Sequence, residues 1–518
     1  MTATLADRFR QTLAEAVTRL DQAQAPDLAP VRALLAERAA LCDARLRVAV
    51  IGRVCQGKST LVNALIGKPL TPTGTLELSY SVNHIRYGSP PSLTVHYKDG
   101  AIAVTSIDRL EAYAAHRDDN RDLLASIAYL DVVSDQSYLR GFDLIDTAGL
   151  DSAQGEDSAV TLEFLRKSRE ELEAETSWEA DKADALIVVM GKRGLSAIDQ
   201  ERLRAFLGPE AVGRSPVTTI GVQTKVEDFW PDAEDPIAAA LQCRDQMLAN
   251  ADVRSMLFEV LPVCGKLAET AAGLGDADVA DLRELAAAPQ AALELSLQAA
   301  QVFRREGRGL PLTGSRRGEL YEAFTGYGLK TATCLVRADK DITAAELREQ
   351  LQRASGINSL RDRLTSHFAH RADLIKTKLT TDLMVRAERS LYRDLGRADR
   401  GVLDGVTAMV TTYKHELGLA ELELLQRVQT GALPVSAADR EEILRLIGEY
   451  GKPVHSRLGL PLTAQLTELE ARAAALHDRW RRDGDALVGR ESADTLVRRC
   501  GNLKRDIRAA RSHLEDPQ

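Results

Sequence analysis

Paired cysteines, a positive charge balance and a long apolar run are all missing from this 518-residue chain. The six cysteines (Cys42, Cys55, Cys243, Cys264, Cys334 and Cys500) are scattered without a Cys-x-x-Cys spacing. Neither a zinc site nor a disulfide framework is expected, and a reducing cytosol fits best. His367 and His370 stand three apart on an expected helix with no further ligand cluster, which suits a packed or surface pair rather than a metal site. The formal net charge is −9, from 67 basic and 76 acidic side chains. No global positive field exists to attract phosphate backbones, which argues against nucleic acid as the main partner. No stretch of about 18 apolar residues occurs, so no transmembrane helix is expected. The N-terminus carries no apolar core of signal-peptide type. A cytoplasmic location is therefore expected, with a peripheral place at the inner face of a membrane as its extension. No repeat of 20–50 residues is visible.

What remains is a globular composition, 44% hydrophobic and 28% charged, in a chain too long for one ordinary core. Its most informative run is Gly52-Arg-Val-Cys-Gln-Gly-Lys-Ser59, a complete phosphate-binding loop. Apolar Leu46–Ile51 precedes it as a strand, and Thr60–Ile66 follows with helical spacing. Strand, glycine-rich turn and helix are the context that the loop needs. Gly52 and Gly57 let successive N–H groups turn inward onto phosphate oxygens, and the helix N-terminus at Ser59 and Thr60 adds partial positive charge. Lys58 can reach the β- and γ-phosphates, and the Ser59 hydroxyl can hold Mg²⁺. A nucleoside triphosphate is the expected ligand.

The chain is organised in three parts. Residues 4–43 read as one or two amphipathic helices, broken near Pro26 and Pro30. Short strands then alternate with helices to about residue 304, with strands expected at 46–51, 93–98, 127–133, 142–146, 185–190, 217–223 and 258–263. That alternation predicts an α/β fold with a mainly parallel sheet covered on both faces. Gly307–Gly318, with Pro311, Arg308, Arg316 and Arg317, reads as a linker or hinge. Beyond it an elongated all-α bundle is expected. Leu364, Phe368, Ala372, Ile375, Leu379, Leu383, Ala387, Leu391 and Leu395 would share one face of a helix of unusual length. The expected domains are 1–45 (helices joining the bundle), 46–304 (a nucleotide-binding domain) and 305–518 (the elongated helical bundle).

Three further segments extend the nucleotide site. Asp146-Thr-Ala-Gly-Leu150 ends an apolar strand, where Asp146 can take a Mg²⁺-bound water and the Gly149 N–H can contact the γ-phosphate. Thr224-Lys225-Val-Glu227-Asp228 follows a strand in the position of an Asn/Thr-Lys-x-Asp guanine-reading segment. Such a carboxylate accepts from guanine N1 and N2. Either Glu227 does so with one extra methylene, or the loop shifts and Asp228 does. Cys264-Gly265-Lys266 ends another strand, where backbone N–H groups would close over the base.

The runs Gly57–Gly67, Pro72-Thr73, Ile85–Gly88, Arg140–Leu150, Pro262–Ala271, Phe324–Leu329 and Arg457–Pro461 resemble the bacterial dynamin-like large GTPases, most of all the isoniazid-inducible type. The similarity spans nearly the whole chain. It implies a GTPase head, a neck and a helical stalk, with Mg²⁺ as cofactor. It also implies GTP-dependent self-association, a second dynamin-like protein as partner, and remodelling of an anionic membrane.

Three positions depart from that pattern. Ser79 stands where switch I places a threonine that closes on Mg²⁺ and the γ-phosphate. Cys55 occupies the place of a water-orienting serine, leaving Gln56 as the one amide nearby, and Glu227 replaces aspartate. Lys58, Ser79, Gln56 and Cys55 form the expected catalytic set. Slow hydrolysis in isolation follows, because a thiol is a poor hydrogen-bonding substitute. For a membrane contact the candidates are the loop 431–435, Gly451–Pro461 and the Arg479, Arg481, Arg482 cluster around Trp480, although each segment alone is equally an ordinary connector or helix face. Two functional classes remain open: a mechanochemical GTPase that remodels membrane, and a GTP-regulated switch that recruits a protein partner.

Overall fold

The structure, a computed structural model, describes residues 4–52, 56–67, 82–114, 123, 126–146, 183–195, 200, 216–306 and 309–515. It divides into two compact units, one of residues 45–212 with 218–372 and the other of 1–44 and 213–217 with 373–518.

The first unit is built on a nine-stranded sheet in the order β4-β3-β5-β2-β6-β1-β7-β8-β9. Its central strand β1 (Leu46–Ile51) is apolar throughout except Arg47, and lies parallel to β6 (Phe142–Asp146) and β7 (Ala185–Met190). Every residue of β7 is buried, as expected for a strand covered on both faces. β8 (Thr219–Gln223) and β9 (Glu259–Pro262) continue the parallel series. The other half is mixed. β2 (Val82–Tyr87) is parallel to β5 (Ile127–Ser134) but antiparallel to β6, and β3 (Ser92–Tyr97) is antiparallel to both β5 and β4 (Ile102–Thr105).

Two of these strands, β2 and β4, were not expected. β2 reads Val-Asn-His-Ile-Arg-Tyr, with polar residues that interrupt an apolar signal. β4 is an edge strand whose Ile102 and Val104 are exposed, so its apolar residues mark no core.

Helices complete this unit. α3 (Lys58–Ile66) starts behind Gly57 and stops at Gly67, both at positive φ, and buries Leu61 to Ile66 without a break. The Arg361 guanidinium donates to the Ala64 carbonyl at the C-terminal end of α3 (2.6 Å). A second core gathers Leu267, Leu282, Phe303, Phe324, Leu329 and Leu351 from the helices Gly265–Gly273, Asp276–Ala287, Ala300–Phe303, Gly314–Ala338 and Ala344–Ala354. The helix Gly314–Ala338 is kinked at Thr325, whose backbone is non-helical.

Residues 309–372 therefore pack with the sheet's unit, which differs from the expected boundary at 304/305. The reason is visible at Arg317. This side chain is 1% exposed and donates to the carbonyls of Phe303 (2.7 Å), Arg305 (3.0 Å), Pro311 (3.1 Å) and Leu312. It ties the described part of the expected hinge back onto the helix that follows.

The other unit buries Phe9, Leu13 and Leu35 of α1 (Leu5–Ala23) and α2 (Ala29–Leu41) against Leu403, Val406 and Val410. The expected single long helix from Leu364 to Leu395 is not continuous. A π-helical turn spans Leu364–Ala369, a turn follows at His370 and Arg371, and a fresh helix runs Ala372–Leu391. A π-turn inserts an extra residue and rotates the apolar stripe, so spacing alone cannot carry across it. Trp480 is fully buried and Arg479 pairs with Asp439 and Glu442, while Arg481 and Arg482 are exposed, so the aromatic ring is not part of an exposed basic face.

A candidate nucleotide site at the strand ends

Every described residue of the expected site lies at or just beyond the C-terminal end of a strand, where open α/β sheets hold ligands. The phosphate loop leaves β1 at Gly52. A Cβ there would sit 2.6 Å from the Val189 carbonyl oxygen, so the adjacent strand admits only glycine. Gly57 adopts φ 83 and caps α3, which begins with Lys58, Ser59 and Thr60. Lys58 is 8% exposed, and its ammonium donates to the Gly52 carbonyl (3.0 Å), spanning the loop it belongs to.

Asp146 closes β6. It is 1% exposed, and burial pushes its carboxyl up to about 6, against the pull of Lys58 and a hydrogen bond from Asn83. The Asn83 amide donates to Asp146 Oδ2 (3.3 Å) from the directly opposite position on β2. Asp146 Oδ1 is buried and has no hydrogen-bond partner among the described residues. An orphaned buried carboxylate oxygen at the end of β6 and a serine hydroxyl, that of Ser59 at the start of α3, are the donor chemistry a hard divalent cation takes. The site thus fits a magnesium ion, with Asp146 and Ser59 as the described residues that would hold it. Once bound, the ion would neutralise charge on the β- and γ-phosphates.

Thr224 joins two loops. Its hydroxyl lies within reach of the Met190 carbonyl (3.0 Å) and of the Gln56 carbonyl, and its single hydrogen serves one at a time. The residue that opens the base-reading segment is therefore tied to the phosphate loop. Lys225 takes a positive φ of 56 and is exposed. The two carboxylates then part company: Glu227 is 8% exposed whereas Asp228 is exposed. Burial pushes the Glu227 carboxyl up to about 7, and its Oε2 has no partner among the described residues. Lys192 donates to the Asp228 main-chain carbonyl (2.7 Å) and lies over the Phe229 ring (5.3 Å), holding the turn from outside.

The last loop follows β9. The Cys264 N–H donates to the Ser355 carbonyl (2.8 Å), and burial pushes the Cys264 thiol up. A Cβ on Gly265 would meet the Thr60 side chain at 3.4 Å, so this loop lies against the start of α3. Glu269 links the two elements: it accepts from the Lys266 ammonium (2.9 Å) and from the Asn63 amide on α3 (2.7 Å).

The structure thus brings Gly52, Gln56, Gly57, Lys58, Ser59, Thr60, Asp146, Thr224, Lys225, Glu227, Asp228, Cys264, Gly265 and Lys266 to one end of the sheet. Cys55, Ser79 and Gly149 lie outside the described residues. Asn83, Asn63, Lys192 and Glu269 were not singled out from sequence. Asparagine is depleted in strands, and because β2 itself was not expected nothing in the sequence pointed to Asn83. No group of three or more metal-ligating side chains occurs among the described residues, and His367 stacks on Phe258 at 4.0 Å as part of the core.

Residues 48–225 match the family model described as the dynamin family. The chain is 28% identical over 439 residues to the isoniazid-induced protein IniC of Mycobacterium tuberculosis, covering 84% of each chain. It is 26% identical over 165 residues to dynamin-like protein 2 of Campylobacter jejuni, covering 31% of this chain and 26% of that one. A solved structure of an oligomerised bacterial dynamin pair aligns over 99% of this chain and 92% of its own at 12% identity. Its TM-score is 0.31, which supports no statement about shared arrangement. No described helix is long and apolar enough to cross a membrane.

Proposed function

We propose that the chain is a bacterial dynamin-like GTPase that couples GTP binding and hydrolysis to self-association and to the remodelling of an anionic membrane surface. The observation that carries this reading is the convergence of the phosphate loop, Asp146, Thr224–Asp228 and Cys264–Lys266 at one end of the sheet. Lys58 neutralises the β- and γ-phosphates, while Ser59 and Asp146 hold Mg²⁺ with Ser79 closing from switch I. The N–H groups of Gly57, Ser59, Thr60 and Gly149 cradle phosphate oxygens. Glu227 reads guanine, because it is the carboxylate turned inward, and Cys264, Gly265 and Lys266 close over the base. Cys55 stands where a water-orienting serine is expected and Gln56 is the one amide next to it in sequence, so turnover is slow until a second copy of the head stabilises the closed loop. Residues 373–518 then serve as the stalk, and a second dynamin-like protein is a fitting partner.

For the membrane contact, support is local. Tyr450 (53% exposed) and Leu462 (80% exposed) bracket Gly451–Pro461 in sequence, with Lys452 and His455 between them. Exposed apolar side chains beside cations suit an anionic bilayer. One observation favours the rival switch that recruits a protein without remodelling: Leu433, Leu458 and Trp480, three apolar members of the candidate segments, are buried. Co-sedimentation with anionic liposomes in GTP, GDP and no nucleotide separates the two. Remodelling predicts GTP-dependent pelleting that is lost in a Tyr450→Ser, Leu462→Ser double variant. Absence of pelleting in all three states leaves the recruiting switch.

A further inference from the structure

Asn83 is a buried polar residue in the middle of a sheet, and its surroundings give it no full set of partners. It is 3% exposed and faces Asp146 across the antiparallel β2–β6 ladder. Directly opposed residues of such a ladder place their side chains on the same face, about 5 Å apart at Cβ. One bond joins the pair, from Asn83 Nδ2 to Asp146 Oδ2 at 3.3 Å. Its direction is fixed by chemistry, because an ionised carboxylate only accepts and the amide must therefore present its nitrogen. That choice leaves Asn83 Oδ1 without a donor, and Asp146 Oδ1 is without one too, both buried among the described residues.

Two orphaned acceptors side by side are costly, on the order of 1–3 kcal/mol each when nothing donates to them. A Val or Ile at position 83 would suit a central strand better and leave no such atom. Polar atoms retained in that state are accounted for when a donor arrives with the ligand, and water on a bound cation is a donor of the required kind.

We propose that Asn83 is a positioning residue for the metal bound with the nucleotide: its amide nitrogen fixes the Asp146 carboxylate, and its Oδ1 accepts from metal-bound water. The inference rests on the Mg²⁺ reading of Asp146 and Ser59 and extends it to a residue on a different strand. Outer partners of metal ligands typically change metal affinity by about 10–100-fold when removed. Asn83 contributes nothing to phosphate binding itself, so its loss separates the metal-dependent part of nucleotide retention from the rest.

The test is the dissociation rate of a fluorescent GDP analogue from the full chain, measured across a Mg²⁺ titration and in EDTA. Asn83→Ala is expected to raise the half-effective Mg²⁺ concentration by about tenfold or more, with the EDTA rate within about twofold of the parent's. Asn83→Thr, whose β-branched side chain suits a strand and which keeps one polar atom, tests the same point if the alanine variant fails to fold; it should shift the midpoint by about threefold or more. A parent-like midpoint in either folded variant overturns the proposal. So does an equal acceleration with and without Mg²⁺, which would make Asn83 a structural residue only. If the parent shows no Mg²⁺ dependence at all, the metal reading itself falls, an outcome distinct from a parent-like variant.

Discussion

Glu227→Gln is the perturbation that bears most directly on base recognition. Glu227 is 8% exposed, carries a buried oxygen without a partner among the described residues, and has a carboxyl raised by burial to about 7. Only the ionised form can accept both guanine N1–H and N2–H₂. With that value, about a tenth of the molecules are ionised at pH 6 and about nine tenths at pH 8. Guanine affinity, divided by adenine affinity to cancel the phosphate terms, should therefore rise about tenfold over this interval, or about 1.4 kcal/mol. The sign for stability is opposite. The folded state holds a proton that the unfolded chain releases near pH 4.5, so unliganded stability falls as pH rises from there through about 7. Competition of GDP and ADP against a fluorescent GDP analogue at pH 6, 7 and 8, in EDTA, measures the ratio. In Glu227→Gln the ratio should be low and flat. A parent ratio that does not change with pH refutes the argument, and a guanine preference surviving in Glu227→Gln passes the role to Asp228.

Lys58→Ala should abolish triphosphate binding while leaving the thermal unfolding transition in place, since its described partner is a carbonyl of its own loop; calorimetric titration with a non-hydrolysable GTP analogue checks it. Glu269→Gln keeps an amide for Asn63 but loses the charge facing Lys266, and should weaken GDP binding by about 0.5–1 kcal/mol, discounted because Lys266 is 31% exposed. Unchanged affinity there would mean that Lys266 need not be held. Thr224→Val removes the hydroxyl between the base loop and the phosphate loop at a residue 2% exposed, and should cost about 1–2 kcal/mol in denaturant unfolding. A loss confined to nucleotide affinity, with stability intact, would show that the bond forms only with ligand.

The central strands and the site were legible for one reason. β1, β6 and β7 are short apolar runs that end at chemistry-bearing loops, so Leu46–Ile51 and Phe142–Asp146 announced both a strand and its terminus. β2 was not legible, because Asn83 and His84 stand where an apolar pattern would otherwise continue. β4 is an edge strand with exposed Ile102 and Val104 and carries no burial signal. The stripe from Leu364 to Leu395 misled because one π-turn at Leu364–Ala369 breaks the helical period while leaving every residue apolar. The segment Gly307–Gly318 has the composition of a hinge, and only the five-donor guanidinium of Arg317, seated on carbonyls that sequence cannot place, binds its described part into a core. Trp480 among arginines suits a membrane contact or a solvated helix face equally in sequence, and the pairing of Arg479 with Asp439 and Glu442, some forty residues earlier, is not visible there.

The central claim, that this is a GTPase whose heads act together, is tested most directly by steady-state phosphate release per molecule across a wide range of protein concentration, with GTP and with ATP. The account predicts hydrolysis of GTP and little of ATP, and a GTP turnover per molecule that rises with concentration as heads associate. A per-molecule rate that is constant over the whole range, or equal for the two nucleotides, contradicts it.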